Sequence, residues 1–242
     1  MKAIVIDGLT KRYRDILAVD DLRLEIEEGE LMSLLGVNGA GKTTTIKMLS
    51  CLTEPTEGDA YLMGKSIVKD RNEVRSIIAV SPQETAVASA LTVRENLELM
   101  CGVHGFGREK REQKISELTG LLGLESVIGR KAGKLSGGWQ RRLSIAMALI
   151  SEPKILFLDE PTLGLDVIAR SDLWDIIRSL KGRVTIILTT HYMEEAESLS
   201  DRIAIMRDGQ LLLCDTAEKI KELTNTDSFE TAFVRVVKGE VK

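Results

Sequence analysis

The sequence predicts an α/β fold: a mostly parallel sheet covered on both faces by helices, with an all-helical segment inserted into it. Three observations carry this. Short apolar runs rich in β-branched residues recur between turn residues. Between them lie stretches with apolar residues at i, i+3, i+4 and i+7. Residues 91–151 interrupt the alternation, because only helix signals occur there. Strands that alternate with helices pair in parallel, since each crossover is a helix that covers a sheet face.

In chain order, the first strand is predicted around Val5 and the second at Leu31–Leu35, followed by a helix carrying Ile46, Leu49 and Leu52. Further strands are predicted at 77–80, 155–158, 184–189 and 203–206. Inside the helical stretch, Thr92-Val93-Arg94-Glu95 has the form of a capping box, and a charged amphipathic helix follows over Arg108–Leu122. Leu143, Ala146, Met147 and Ile150 share one helix face, as do Leu173, Ile176, Ile177 and Leu180. Lys181-Gly182 then places a glycine just past the second of these helices. The prolines punctuate: Pro55 after a helix, Pro82 after a strand, Pro153 and Pro161 on either side of one. Asp208-Gly209, between Ile203/Ile205 and Leu211/Leu213, predicts a hairpin. Asp215 with Glu218 predicts a capped helix, and Phe229, Ala232 and Phe233 a last amphipathic turn or two. The expected division is a core of residues 1–83 and 153–215, a helical insert at 84–152 and a helical tail at 216–242.

Composition removes several classes. A chain of 242 residues, 43% hydrophobic and 29% charged, can bury a core without staples. Against 37 Asp and Glu stand 33 Lys and Arg, a net charge of −4, so no nucleic-acid partner is expected. The one basic run, residues 108–114, is interleaved with Glu109 and Glu112 and reads as a solvated helix face. Cys51, Cys101 and Cys214 are far apart and odd in number, which argues against disulfides and zinc and for a reducing cytoplasm. The N-terminus lacks the apolar core and cleavage site of a signal peptide. The longest apolar runs fall well short of the about 18 residues of a membrane helix, so the chain is not expected to cross a membrane by itself.

Gly36-Val37-Asn38-Gly39-Ala40-Gly41-Lys42-Thr43 matches the phosphate-binding P-loop in full, after an apolar strand and before a helix. Its glycines let backbone N–H groups point at phosphate oxygens, and the helix N-terminus adds partial positive charge. Lys42 would reach the β- and γ-phosphates, Thr43 would ligate Mg²⁺, and Thr44 would bond the α-phosphate. The run 155–158 ends in Asp159-Glu160. Beside a P-loop, Asp159 would hold Mg²⁺ through water and Glu160 would polarise the attacking water. His191 follows another buried strand, where a neutral imidazole would contact the γ-phosphate and that water.

Leu135-Ser136-Gly137-Gly138-Trp139-Gln140 supplies a second anion site, a helix N-terminus headed by Ser136. With this motif the chain strongly resembles the ATP-binding subunit of ABC transporters over nearly its whole length. The resemblance implies a P-loop NTPase (RecA-like) core with N-terminal antiparallel strands. It also implies ATP and Mg²⁺ as cofactors and a head-to-tail dimer, in which Ser136, Gly137 and Gly138 grip the ATP held by the second ATPase subunit. Tyr13 resembles the aromatic that stacks on adenine; it is equally a strand-edge tyrosine. Gln83 resembles the glutamine that touches Mg²⁺, takes part in catalysis and links the nucleotide to the helical insert. Asp166 resembles the loop aspartate that communicates across the dimer, or is only the N-cap of the next helix. Trp139 is the one mild departure, at a variable place in the signature.

The subclass rests on resemblance as well. Residues 188–197 (LTTHYMEEAE), 81–85 (SPQET) and 91–97 (LTVRENL) look like the daunorubicin-resistance type that exports drugs, antibiotics and lipids. Importers of sugars often carry an added regulatory domain, for which the stretch after Asp215 is too short. The interval 83–135 has no room for the long coiled coils of chromosome-maintenance relatives, and the single P-loop departs from two-cassette translation factors. The expected partners are therefore a second ATPase subunit and an integral membrane permease, with the chain on the inner face of the cell membrane. The alternatives are an importer ATPase and a soluble relative acting on DNA or ribosomes.

Overall fold

The computed structural model describes residues 1–240. The chain opens with two long strands, β1 (Lys2–Tyr13) and β2 (Ile16–Glu27). β3 (Leu31–Leu35) runs into the glycine-rich loop and α1 (Lys42–Leu49). β4 (Glu57–Leu62) and β5 (Lys65–Ser66) follow, then α2 (Arg71–Ile77) and β6 (Ile78–Ser81). Three helices fill the next interval: α3 (Val93–Val103), α4 (Arg108–Leu122) and α5 (Gly137–Leu149). β7 (Ile155–Asp159), α6 (Val167–Leu180), β8 (Thr185–Thr190) and α7 (Met193–Leu199) resume the alternation. β9 (Arg202–Arg207), β10 (Gln210–Asp215), α8 (Ala217–Leu223) and α9 (Phe229–Lys238) complete it.

The main sheet has the order β10-β9-β3-β8-β7-β6, parallel throughout except for the β9–β10 hairpin. A second, antiparallel sheet has the order β2-β1-β4-β5. Leu35 pairs with Thr190, Asp159 with Thr189 and Ser81 with Leu158. The strands thus end level, and the segments beginning at Gly36, Glu160, His191 and Pro82 leave the sheet together at its carboxyl edge, where open parallel sheets bind ligands.

Side-chain alternation explains why the central strands read as unbroken apolar runs. In β7, Ile155 and Phe157 enter the core beneath the antiparallel sheet and α1, whereas Leu156 and Leu158 enter the core shared with α3, α4 and α5. Both faces are buried, so no polar residue is required at every second place. The helical insert has no core apart from the sheet: Val93, Leu97, Leu118 and Leu143 form one cluster with Leu156, Leu158, Ile186 and Leu188. A third cluster seats α8 and α9 on β9 through Ile203, Ile205, Ile220, Phe229 and Phe233.

The predicted capping box is present: Thr92 Oγ1 accepts from the Glu95 N–H, and Glu95 accepts from the Thr92 N–H. Gly182, at φ +74°, follows α6 as the sequence implied, and Asp208 and Gly209 both have positive φ, as a two-residue hairpin turn demands. Other expectations need correction. The N-terminal antiparallel strands that the resemblance implied are present as the β2-β1-β4-β5 sheet; the first strand extends over the whole of β1, and β2, β4 and β5 carried no prediction of their own from the residues. In β2 only the opening residues 16–19 form an apolar run; beyond it the buried Leu22, Leu24 and Ile26 are separated by exposed Arg23 and Glu25, and charged residues hide the rest of the strand. Ile77 ends a helix rather than opening a strand, and Leu52 lies beyond α1, exposed. Asp215 closes β10, and the helix cap is Thr216, whose Oγ1 accepts from the Lys219 N–H. The last amphipathic turns form the ten-residue α9.

Candidate active site

The loop between β3 and α1 is shaped by close approaches that exclude side chains. A Cβ on Gly36 would stand 2.4 Å from the Met206 carbonyl oxygen, and one on Gly41 would stand 2.6 Å from that of Ala18, at φ +99°. Backbone therefore packs against backbone, leaving loop N–H groups to face the cleft. The cleft is walled by Asn38, Gly39, Gly41, Lys42, Thr43 and Thr44 on one side, and by Gln83, Glu160 and His191 on the other.

Lys42 is buried and folds back over the loop, donating to Gly36 O at 2.7 Å and Val37 O at 3.2 Å. Burial pushes its pKa down, while the charges of Glu160 and Asp159 pull it back up. Its Nζ lies 3.9 Å from Glu160 Oε1, and His191 Nδ1 lies 3.3 Å from Glu160 Oε2 without the alignment of a hydrogen bond. Glu160 thus stands between the phosphate-seeking lysine and the histidine. Its backbone is left-handed (φ 46°) just past the strand end that Asp159 closes. Two bonds hold that turn: the Glu160 N–H donates to Thr189 Oγ1 at 3.0 Å and Thr189 O at 3.1 Å.

Thr43 Oγ1 donates to Asp159 Oδ1 at 3.2 Å, and Thr189 Oγ1 donates to the same oxygen. With the Gln83 amide in the same wall, these groups form the all-oxygen set that suits Mg²⁺. Among the described residues no group of three or more His, Cys, Asp or Glu could hold a metal ion, so phosphate and water must complete the shell of an ion held here. The donor set fits such an ion.

Over residues 19–163 the chain matches the protein family of ABC transporters. The chain belongs to that family. It is 40% identical to the daunorubicin resistance ATP-binding protein DrrA3 of Streptomyces coeruleorubidus, over 94% of this chain and 72% of that one. It is 39% identical to the doxorubicin resistance protein DrrA of Mycobacterium tuberculosis, over 90% of this chain and 67% of that one. Identity to the human phospholipid-transporting ATPase ABCA3 is 42% over 90% of this chain, which spans only 13% of that much longer protein. Among solved structures, the ATP-binding subunit of an ABC transporter matches with a TM-score of 0.85 at 26% identity, over 97% of this chain and 99% of that one. A dimeric ATP-binding cassette in a post-hydrolysis state, bound to ADP and phosphate, matches with a TM-score of 0.78 at 29% identity, over 88% and 98% of the two chains. The ABC cassette reading made from the P-loop and signature is borne out, as is the resemblance to the daunorubicin-resistance type.

Not all of the residues expected at the site meet in one cleft. Ser136 and Gly138 line a separate cleft with Trp139, Arg142, Asp166 and Ala169, and Gly137 opens the helix between them. Ser136 occupies the N-cap position, but its hydroxyl makes no capping bond. Asp166 does cap: its Oδ1 accepts from the Ala169 N–H at 2.9 Å. Tyr13 stands outside the wall of the phosphate cleft, half-exposed with the Lys11 ammonium 5.0 Å over its ring, and Ile16, Leu17 and Ala18 line that wall instead.

Three residues at this centre carried no signal in the sequence. Thr189 holds the Asp159 carboxylate and the Glu160 backbone N–H through one hydroxyl. Arg141 donates to the carbonyls of Pro82 and Gln83. Glu195 is fully buried, accepts from Trp174 Nε1 at 3.1 Å and has its pKa raised by burial. Thr189 and Arg141 find their partners only on segments distant in the chain, 30 and 58 residues away.

Proposed function

We propose that this ABC cassette binds ATP with Mg²⁺ and hydrolyses it as a head-to-tail dimer, driving export of a drug-, antibiotic-, peptide- or lipid-like substrate through a separate membrane permease. The carrying observation is Glu160, held between Lys42 and His191 at the mouth of the phosphate cradle. Gly36, Asn38, Gly39 and Gly41 would wrap the phosphates, with Thr44 on the α-phosphate. Lys42 would leave its two carbonyls for the β- and γ-oxygens. Thr43, Asp159 and Gln83 would hold Mg²⁺, which neutralises charge on the β- and γ-phosphates. Glu160 would orient and accept the proton of a water placed in line with the γ-phosphate, and His191 would hold both water and phosphate in place.

Dimerisation is supported by the separation of the two clefts. The hydroxyl of Ser136 is free for a γ-phosphate, yet it lies outside the chain's own phosphate cleft. A second copy would bring one to the other, with residues 84–152 acting as the helical lever between nucleotide and permease. Val167 and Ile168, 72% and 76% exposed beside Asp166, offer apolar surface for that contact. The daunorubicin- and doxorubicin-resistance relatives favour export. No helix of the described residues is long and apolar enough to cross a membrane, in keeping with a separate permease and a peripheral place on the inner membrane face.

The decisive experiment is Glu160→Gln. It should keep ATP affinity and lower turnover by about 10²–10⁴-fold, the worth of a positioned general base. ATP should then hold the variant as a dimer in light scattering. Normal turnover would remove Glu160 from its role. Export is tested by co-expression with a candidate permease, where ATP-dependent loss of daunorubicin from cells is expected and net uptake would overturn the direction.

A further inference from the structure

Arg141 lies in α5, one helical turn beyond Gly138. It is 4% exposed. Its Nη1 donates to Pro82 O at 2.6 Å, its Nη2 to Gln83 O at 2.6 Å, and the same Nη2 lies 3.5 Å from Glu160 O. Among the described residues it forms no salt bridge. Burial opposes its charge, and Asp159 and Glu195 favour it from a distance. A buried cation bonded only to carbonyls is a costly way to fill space, since an apolar side chain would pack there without desolvation. What the guanidinium adds is a rigid fork that grips two successive carbonyls at once.

Resting on the nucleotide-hydrolysis reading above, we propose that Arg141 is a positioning residue that fastens the Gln83 segment to the signature helix. The two ends of this link do different work. The N-terminus of α5 carries Ser136 and Gly137, aimed at the other subunit's γ-phosphate, while Arg141 holds the backbone of the residue whose amide faces the chain's own Mg²⁺. One turn of helix therefore joins the two ATP sites of the dimer. Engagement of a γ-phosphate at Ser136 pulls on the Gln83 carbonyl directly, without passing through the permease. The Ser81–Ser144 hydroxyl pair, 3.0 Å apart and buried, ties β6 to the next turn of the same helix and keeps the lever stiff.

The test uses the full chain with Arg141→Lys, which keeps the charge but puts one nitrogen where the fork has two, so the Pro82 and Gln83 carbonyls, each now 2.6 Å from a separate nitrogen, can no longer both be held at that length. Binding of Mg²⁺-free ATP should stay within about twofold, because the P-loop is untouched. The apparent KM for Mg²⁺ at saturating ATP should rise, and kcat should fall, each by about tenfold, the lower end of what outer-shell partners of a metal site contribute. The Hill coefficient for ATP should fall towards one. In a Gln83→Ala background the same substitution should add less than about twofold, because effects that share one route are not additive. Unchanged Mg²⁺ dependence and kcat, or an equal loss in both backgrounds, would overturn the proposal. If the lysine variant does not fold, Arg141→Gln gives the same comparison. A chain that folds with neither would make Arg141 a folding residue and also overturn it. A wild-type chain without Mg²⁺-dependent ATPase activity would refute the underlying function instead, so the two failures are separable.

Discussion

Alanine at Gly41 should injure the fold and the nucleotide site together, and the size of the injury follows from the geometry. At φ +99° a side chain is strained by about 1–2 kcal/mol. Its Cβ would also stand 2.6 Å from Ala18 O and 3.3 Å from Val19 Cγ2, and forcing atoms into packed space costs a further 1–3 kcal/mol or so. Gly39 supplies the internal control. It has φ +84°, but a Cβ there would meet nothing within 4 Å, so alanine at that place carries only the backbone strain. The difference between the two variants is thus the overlap with β2, about 1–3 kcal/mol. For a chain of this size each kcal/mol lowers Tm by roughly 2–4 °C. Gly41→Ala should therefore melt about 2–12 °C below Gly39→Ala when thermal unfolding is followed by circular dichroism without nucleotide. ATP should stabilise Gly41→Ala less than wild type, because moving Ala18 moves the cleft wall. Equal melting of the two variants would refute the claim that backbone packing against β2 sets the loop.

Three further outcomes follow from the same geometry. Ser136→Arg removes no capping bond, so ATP binding should survive while dimer-dependent turnover falls at least about 10²-fold; an active variant would contradict the shared site. Burial raises the pKa of Glu195 above 4.5, so the folded chain binds its proton more tightly than the unfolded chain, and stability falls as pH rises above that value towards the folded pKa. The hydroxyls of Thr190 and Thr162 and the Trp174 N–H oppose this, and the charge of Arg170 adds to them from a distance. Glu195→Gln removes the buried charge, so its Tm should exceed that of wild type at pH 8 and converge with it near pH 4; a constant offset would show that folding does not shift the Glu195 pKa. Finally, burial raises the thiol pKa of Cys51 and Cys101, and that of Cys214 to about 11, so the native chain should resist iodoacetamide at pH 8 and react only on unfolding; rapid native labelling would place a thiolate at the surface.

The sequence by itself determined the elements whose signals are local. β3, β7 and β8 are buried on both faces and therefore read as apolar runs, and the P-loop reads directly because its glycines and lysine act within eight residues. The capping box at Thr92 and the turn at Asp208-Gly209 are equally local, each closing within a few residues. Only the tertiary structure decided features whose partners are distant in the chain. β2 alternates over most of its length and is fixed as a strand by its pairing with β1. Thr189 binds a carboxylate 30 residues away, and Arg141 reaches back 58 residues to Gln83. The resemblance assigned Ser136 to the other subunit's ATP, but that it stands outside the cleft of Lys42 is decided only by the packing of α5 against the sheet. A sequence records which groups can bind phosphate or metal, whereas which of them share one cleft depends on the long-range pairing that brings strand ends to a common edge.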